Sequence, residues 1–133
     1  MTSIVEAFAK DGPLAQIISG FNPRQAQVDM AMEVADTIMK NKSLMVEAGT
    51  GTGKTFAYLI PALLTNKKVI VSTGTKNLQE QLFHKDLPVI KKAFAKGHKI
   101  ALLKGRSNYL CLFRLEQNFS SSPQKRQQAG VRL

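Results

Sequence analysis

The sequence predicts an α/β fold, part of a parallel sheet flanked by helices on both faces. Three observations carry that expectation. Segments of helical period alternate with short apolar runs, in the order helix, strand, helix, strand, helix, strand, helix. The runs at 44–46, 68–73 and 100–103 suit strands of a sheet covered on both sides. Between the first run and the next helix stands Ala48-Gly49-Thr50-Gly51-Thr52-Gly53-Lys54-Thr55. That turn falls at the carboxyl end of a strand, where open α/β sheets bind their ligands.

Residues 1–20 read as a short amphipathic lead-in, with Ile4, Ala7 and Phe8 at helical spacing and a break at Gly12-Pro13. A helix then starts with Asn22 as its cap and Pro23 in its first position. Val28, Ala31, Met32, Ala35, Ile38 and Met39 give it one apolar face, in which the methionines act as core filler. Leu44-Met45-Val46 enters the glycine turn as a strand, and Phe56-Ala57-Tyr58-Leu59-Ile60 leaves it as a helix running to Leu63-Leu64. Pro61 is expected to kink or end that helix. A second strand follows at 68–73, then helix over 76–96 in two pieces divided near Pro88. The third strand at 100–103 leads to a last helix from Asn108 to about Phe119. Residues 119–133 are polar and aperiodic, and read as a disordered tail.

A chain of 133 residues is about one domain. Nineteen Lys and Arg against nine Asp and Glu give a formal charge of +10, which favours a polyanionic partner such as nucleic acid. A positive surface also serves plain solubility. The single cysteine excludes an internal disulfide and cannot build a metal site alone. No leader pattern and no apolar stretch of roughly 20 residues is present, so a cytoplasmic chain without a membrane span is expected.

The glycine turn has the composition of a phosphate-binding loop. Glycines reach left-handed dihedrals, so the backbone can curl and aim successive N–H groups at one anion. In that arrangement Lys54 reaches the outer phosphates and the Thr55 hydroxyl holds Mg²⁺, with Ala48 standing where the pattern is written with Gly. A purely structural glycine turn would leave the Gly-Lys-Thr ending unexplained.

Further segments extend the pattern. Phe21-Asn22-Pro23-Arg24-Gln25-Ala26-Gln27 precedes the loop by about twenty residues, and Glu47 leads directly into it. Ser72-Thr73-Gly74-Thr75 follows, with Leu78 and Gln81, and then Gly105-Arg106-Ser107-Asn108-Tyr109-Leu110-Cys111. Together these resemble the N-terminal part of the DinG/YoaA branch of XPD-like superfamily 2 ATP-dependent DNA helicases, its YoaA members more than its DinG members. The resemblance covers roughly residues 12–118.

The resemblance implies that residues 21–118 are part of a RecA-like ATP-binding domain using ATP and Mg²⁺, in a 5′→3′ helicase of DNA repair. It implies that Gln27 bonds the base edge, and that Arg24 supports the base or the phosphates. Thr73 and Thr75 would touch the backbone of single-stranded DNA, although Thr75 can equally cap the next helix. Arg106 would add a DNA contact beside Lys91, Lys92, Lys96, Lys99 and Lys104, residues that otherwise read as a solvated surface. Cys111 would be the first of four thiolates holding a 4Fe–4S cluster. Without its partners it reads as a buried apolar residue among Leu110, Leu112 and Leu115.

Phosphoryl transfer to water also needs a carboxylate on a second strand and an arginine on the developing charge. The acids are Glu6, Asp11, Asp29, Glu33, Asp36, Glu47, Glu80, Asp86 and Glu116, and none ends an apolar strand in the right place. A truncated helicase segment that binds ATP without turnover is therefore expected. The alternative is a non-catalytic module that binds nucleotide, DNA or an unspecified protein. A small kinase would need acceptor-binding carboxylates and a lid, and neither is found.

Overall fold

The computed structural model describes residues 3–94 and 97–120. They fall into two units, one ending at Ile100 and the other starting at Ala101. The first unit holds helices α1 (Ile4–Ala7), α2 (Pro13–Ile17), α3 (Gln25–Lys40), α4 (Lys54–Leu64), α5 (Lys76–Gln81) and α6 (Leu87–Phe94). The second holds a single 3₁₀ turn, Arg106–Asn108, and α7 (Leu112–Ser120). No described helix is long and apolar enough to cross a membrane.

The core of the first unit is helical. Phe8, Leu14, Ala31, Ala57, Leu59, Ile60, Leu82 and Ile90 form one buried cluster. α3 and α4 pack together, and each contributes a small, fully buried residue to the cluster, Ala31 and Ala57. α6 closes the cluster against α4 and α2.

Helix boundaries shift where the backbone overrides the sequence signal. α3 begins at Gln25, two residues after the expected start, with Arg24 in its cap position in extended conformation and no side-chain cap. Arg24 stays extended (φ −108°, ψ 137°), so Pro23 lies ahead of the cap and not in the first turn. At the other end Asn41 turns left-handed and the Lys42 N–H reaches back to the Thr37 carbonyl at 3.0 Å. Met32 and Met39 are exposed, not core filler: the buried stripe of α3 runs through Gln27 and Ala31.

α4 passes through Pro61 without ending. The ring removes one bond, the one to the Ala57 carbonyl, and the helix is within a turn of its end. Pro61 is itself buried, so packing holds the segment. Between α5 and α6 the break is a π-helical turn at Leu82–Asp86, ahead of Pro88, which sits harmlessly in the first turn of α6.

The three expected strands carry no ladder, and no strand is present among the described residues. Exposure still alternates as an extended chain would make it: Leu44 41%, Met45 97%, Val46 43%, and Val69 45%, Ile70 97%, Val71 43%. Strand propensity alone does not pair two segments; a sheet needs partners whose pairing and covered face compensate the ordering. The last helix starts at Leu112 and not Asn108, and it runs to Ser120. The rest of the expected tail, and Lys96, lie outside the described residues.

Candidate functional site

The loop survives as an irregular turn between an extended segment and α4. Gly51 (φ 74°) and Gly53 (φ 81°) are left-handed, conformations that side chains with a Cβ rarely adopt. The Thr52 hydroxyl donates to the Gly49 carbonyl at 3.0 Å and tightens the turn. Among the described residues, the backbone N–H groups of 49–53 donate to no backbone carbonyl. They remain available to an anion, at the N-terminus of a helix whose dipole favours one.

Lys54 is the first residue of α4, and its side chain folds back over the loop. Its ammonium donates to the Ala48 carbonyl at 2.7 Å and also to the Gly49 carbonyl. The positive charge is thus held at the mouth of the turn, beside the free N–H groups.

Two side chains from the start of α3 reach the same loop. Arg24 Nη1 donates to the Gly51 carbonyl at 2.6 Å. Gln27 Nε2 donates to the Gly53 carbonyl at 2.9 Å, and Gln27 is buried, 6% exposed. Sequence reasoning assigns Gln27 to the base edge and Arg24 to the base or phosphates; it does not show that both side chains also bond loop carbonyls. The late start of α3 is what leaves Arg24 extended and able to reach.

The Thr55 hydroxyl is hydrogen-bonded to the Tyr58 phenol one turn along α4. Burial raises the phenol above its ordinary 10.0, the Thr55 bond opposes this, and the Asp86 carboxylate adds to it. A raised folded pKa gives stability that is complete below pH 10 and lost as pH climbs through the folded value. Tyr58→Phe is therefore expected to flatten the alkaline loss of thermal stability and to change the neutral-pH value by no more than about 1 kcal/mol. Melting curves from pH 7 to 11 check it.

The expected DNA-contacting residues are spread over both units. Thr75 caps α5, its hydroxyl accepting from the Leu78 N–H at 3.2 Å, and the Thr73 hydroxyl donates to the Thr75 carbonyl at 3.3 Å. The capping role of Thr75 is thus realised. Arg106 is exposed in the 3₁₀ turn of the second unit. Cys111 is exposed too, which corrects the expectation of a buried residue. Its neighbours Leu110 and Leu112 are bare, because the described part of this unit has one short helix and nothing to bury them against. No group of three or more His, Cys, Asp or Glu side chains among the described residues could hold a metal ion.

Comparison with known proteins agrees with the loop. The DEAD/DEAH box helicase family matches residues 29–117. The chain is 60% identical over 114 residues to the ATP-dependent DNA helicase YoaA of Haemophilus influenzae, covering 86% of this chain and 18% of that protein. It is 59% identical, with the same coverage, to the YoaA helicase of Escherichia coli. The 3'-5' exonuclease DinG of Bacillus subtilis is 43% identical over 78% of the chain, and the match covers 12% of DinG. The chain therefore spans under a fifth of the length of these relatives. No solved structure matches it. On the family match across two-thirds of its residues and the identity to YoaA, the chain belongs to the DEAD/DEAH box helicases.

Proposed function

We propose that these residues are the nucleotide-capturing segment of an ATP-dependent DNA helicase of the YoaA type. The observation that carries this is the Lys54 ammonium poised over a loop with two left-handed glycines and unpaired N–H groups. In this reading Ala48 to Gly53 wrap the phosphates with backbone N–H groups, Lys54 takes the outer oxygens and Thr55 gives its hydroxyl to Mg²⁺. Gln27, with Oε1 and one amide hydrogen still open, takes the base edge of ATP. Arg24 holds the loop from the same side. The bare faces of Met45 and Ile70 fit strands of a RecA-like parallel sheet completed by sequence beyond these residues. Thr73, Thr75 and Arg106 contact single-stranded DNA, the hydroxyls at a helix start and the guanidinium on phosphate.

The residues present do not fit a 4Fe–4S cluster, because Cys111 is the one cysteine in the sequence. Hydrolysis likewise needs a carboxylate at the end of a second strand, and none of the nine acids stands there: Glu47 is beside the loop but on the segment that leads into it. The 133-residue chain is expected to bind Mg-ATP without hydrolysis that single-stranded DNA stimulates. Calorimetric titration with ATP and a phosphate-release assay with and without an oligonucleotide test this. Robust DNA-dependent turnover, or no ATP binding at all, overturns the reading.

A further inference from the structure

We infer that Arg24 and Gln27 are positioning residues that latch the phosphate loop into its binding shape, so that they govern capture of any polyphosphate and not recognition of a base alone. The inference rests on the proposal that the loop binds phosphate. The two loop residues with left-handed backbone are Gly51 and Gly53, and these are the two whose carbonyls the side chains hold. A trans peptide unit is planar, with its C=O and the next N–H pointing in opposite directions. Fixing the Gly51 carbonyl on Arg24 therefore aims the Thr52 N–H away from α3. Fixing the Gly53 carbonyl on Gln27 aims the Lys54 N–H the same way. Each latch sets a donor that an anion on the far side of the loop would meet.

The fit at Gly53 is close. A Cβ built there would lie 2.2 Å from Gln27 Nε2, so the amide occupies the space that glycine leaves. The Gly53 carbonyl also accepts from the Ala57 N–H at 3.3 Å, which ties the latch to the first turn of α4. Burial of Gln27 makes its bond costly to lose, since no water replaces it easily. The planar amide retains one N–H and its oxygen, so latching and base contact can proceed together.

Magnesium tripolyphosphate, which has no base, separates the two roles. Wild type is expected to bind it, and Lys54→Ala to lose it. Gln27→Met removes the donor while keeping charge and approximate volume; it is expected to weaken tripolyphosphate about ten-fold, and ATP by at least that factor because the base contact goes with the amide. Arg24→Met is expected to do likewise, and Arg24→Lys, which keeps a cation and a donor, to recover most of the loss. Should Gln27→Met fail to fold, judged by its circular dichroism, exposed Arg24 carries the same comparison. Loss of ATP affinity with tripolyphosphate binding unchanged would make these residues base readers and overturn the latch. A wild type that binds ATP and not tripolyphosphate overturns it too, whereas a wild type that binds neither brings down the phosphate-loop reading itself.

Discussion

Lys54→Ala is expected to raise the dissociation constant for Mg-ATP by roughly two orders of magnitude while leaving the melting temperature unchanged. The ammonium now donates to two carbonyls, of Ala48 and Gly49, at the edge of the loop. Exchanging them for phosphate oxygens replaces neutral acceptors with charged ones, which adds ion-pair attraction to bonds that the ammonium's charge already strengthens. A loss of about 3 kcal/mol follows from removing one or two such bonds, which is roughly 150-fold in affinity. The fold should not suffer. Gly49 is exposed and Ala48 partly so, and water can satisfy both carbonyls once the ammonium is gone. Fluorescence titration with an ATP analogue, set beside a thermal melt, measures both quantities. An unchanged affinity would show that Lys54 merely braces the turn.

Local chemistry was legible in the sequence where it is carried by consecutive residues. The glycine turn, the helix after it and the Thr75 cap follow from dihedral freedom and short-range bonding, and each is found where expected. The start of α3 was misplaced because the cap and proline signals at Asn22 and Pro23 act before a chain that stays extended through Arg24. Two residues of difference decide whether a guanidinium faces water or the Gly51 carbonyl. Gln27 was singled out as a base reader, yet nothing in a sequence shows that a buried amide will find a backbone oxygen 26 residues away.

Burial was harder to read than secondary structure. Met32 and Met39 fit a helical apolar stripe, but α3 turns a neighbouring stripe, through Gln27 and Ala31, toward α4. Leucine neighbours suggest that Cys111 is buried, yet it is exposed, and two of those neighbours, Leu110 and Leu112, are bare. In each case the sequence reports that a surface is apolar, while its covering depends on elements elsewhere in the chain. The segments at 44–46 and 69–71 are the sharpest example. Their composition suits a sheet covered on both sides, and each still has a central side chain fully in solvent.

That contrast yields a paired expectation for two isoleucines that look alike in the sequence, each set in an apolar run. Ile60→Ala is expected to destabilise the chain by about 2–5 kcal/mol, and Ile70→Ala to change stability by less than about 0.5 kcal/mol. Ile60 is fully buried in α4, in one cluster with Phe8, Leu14, Ala31 and Ile90. Truncating it removes apolar contact and leaves a cavity that rigid neighbours refill poorly. Small domains hold only about 5–15 kcal/mol in total, so this loss alone brings the chain near its unfolding threshold. Ile70 is 97% exposed and has almost no contact to lose. Because Ile60 lies on the helix that starts at Lys54, its loss should also reduce ATP affinity through the unfolded fraction, and saturating nucleotide should restore part of the stability. Urea midpoints of the two variants, measured with and without Mg-ATP, decide the matter. Equal destabilisation of both would mean that the segment at 69–71 is covered in solution and that the helical cluster is not what holds the loop in place.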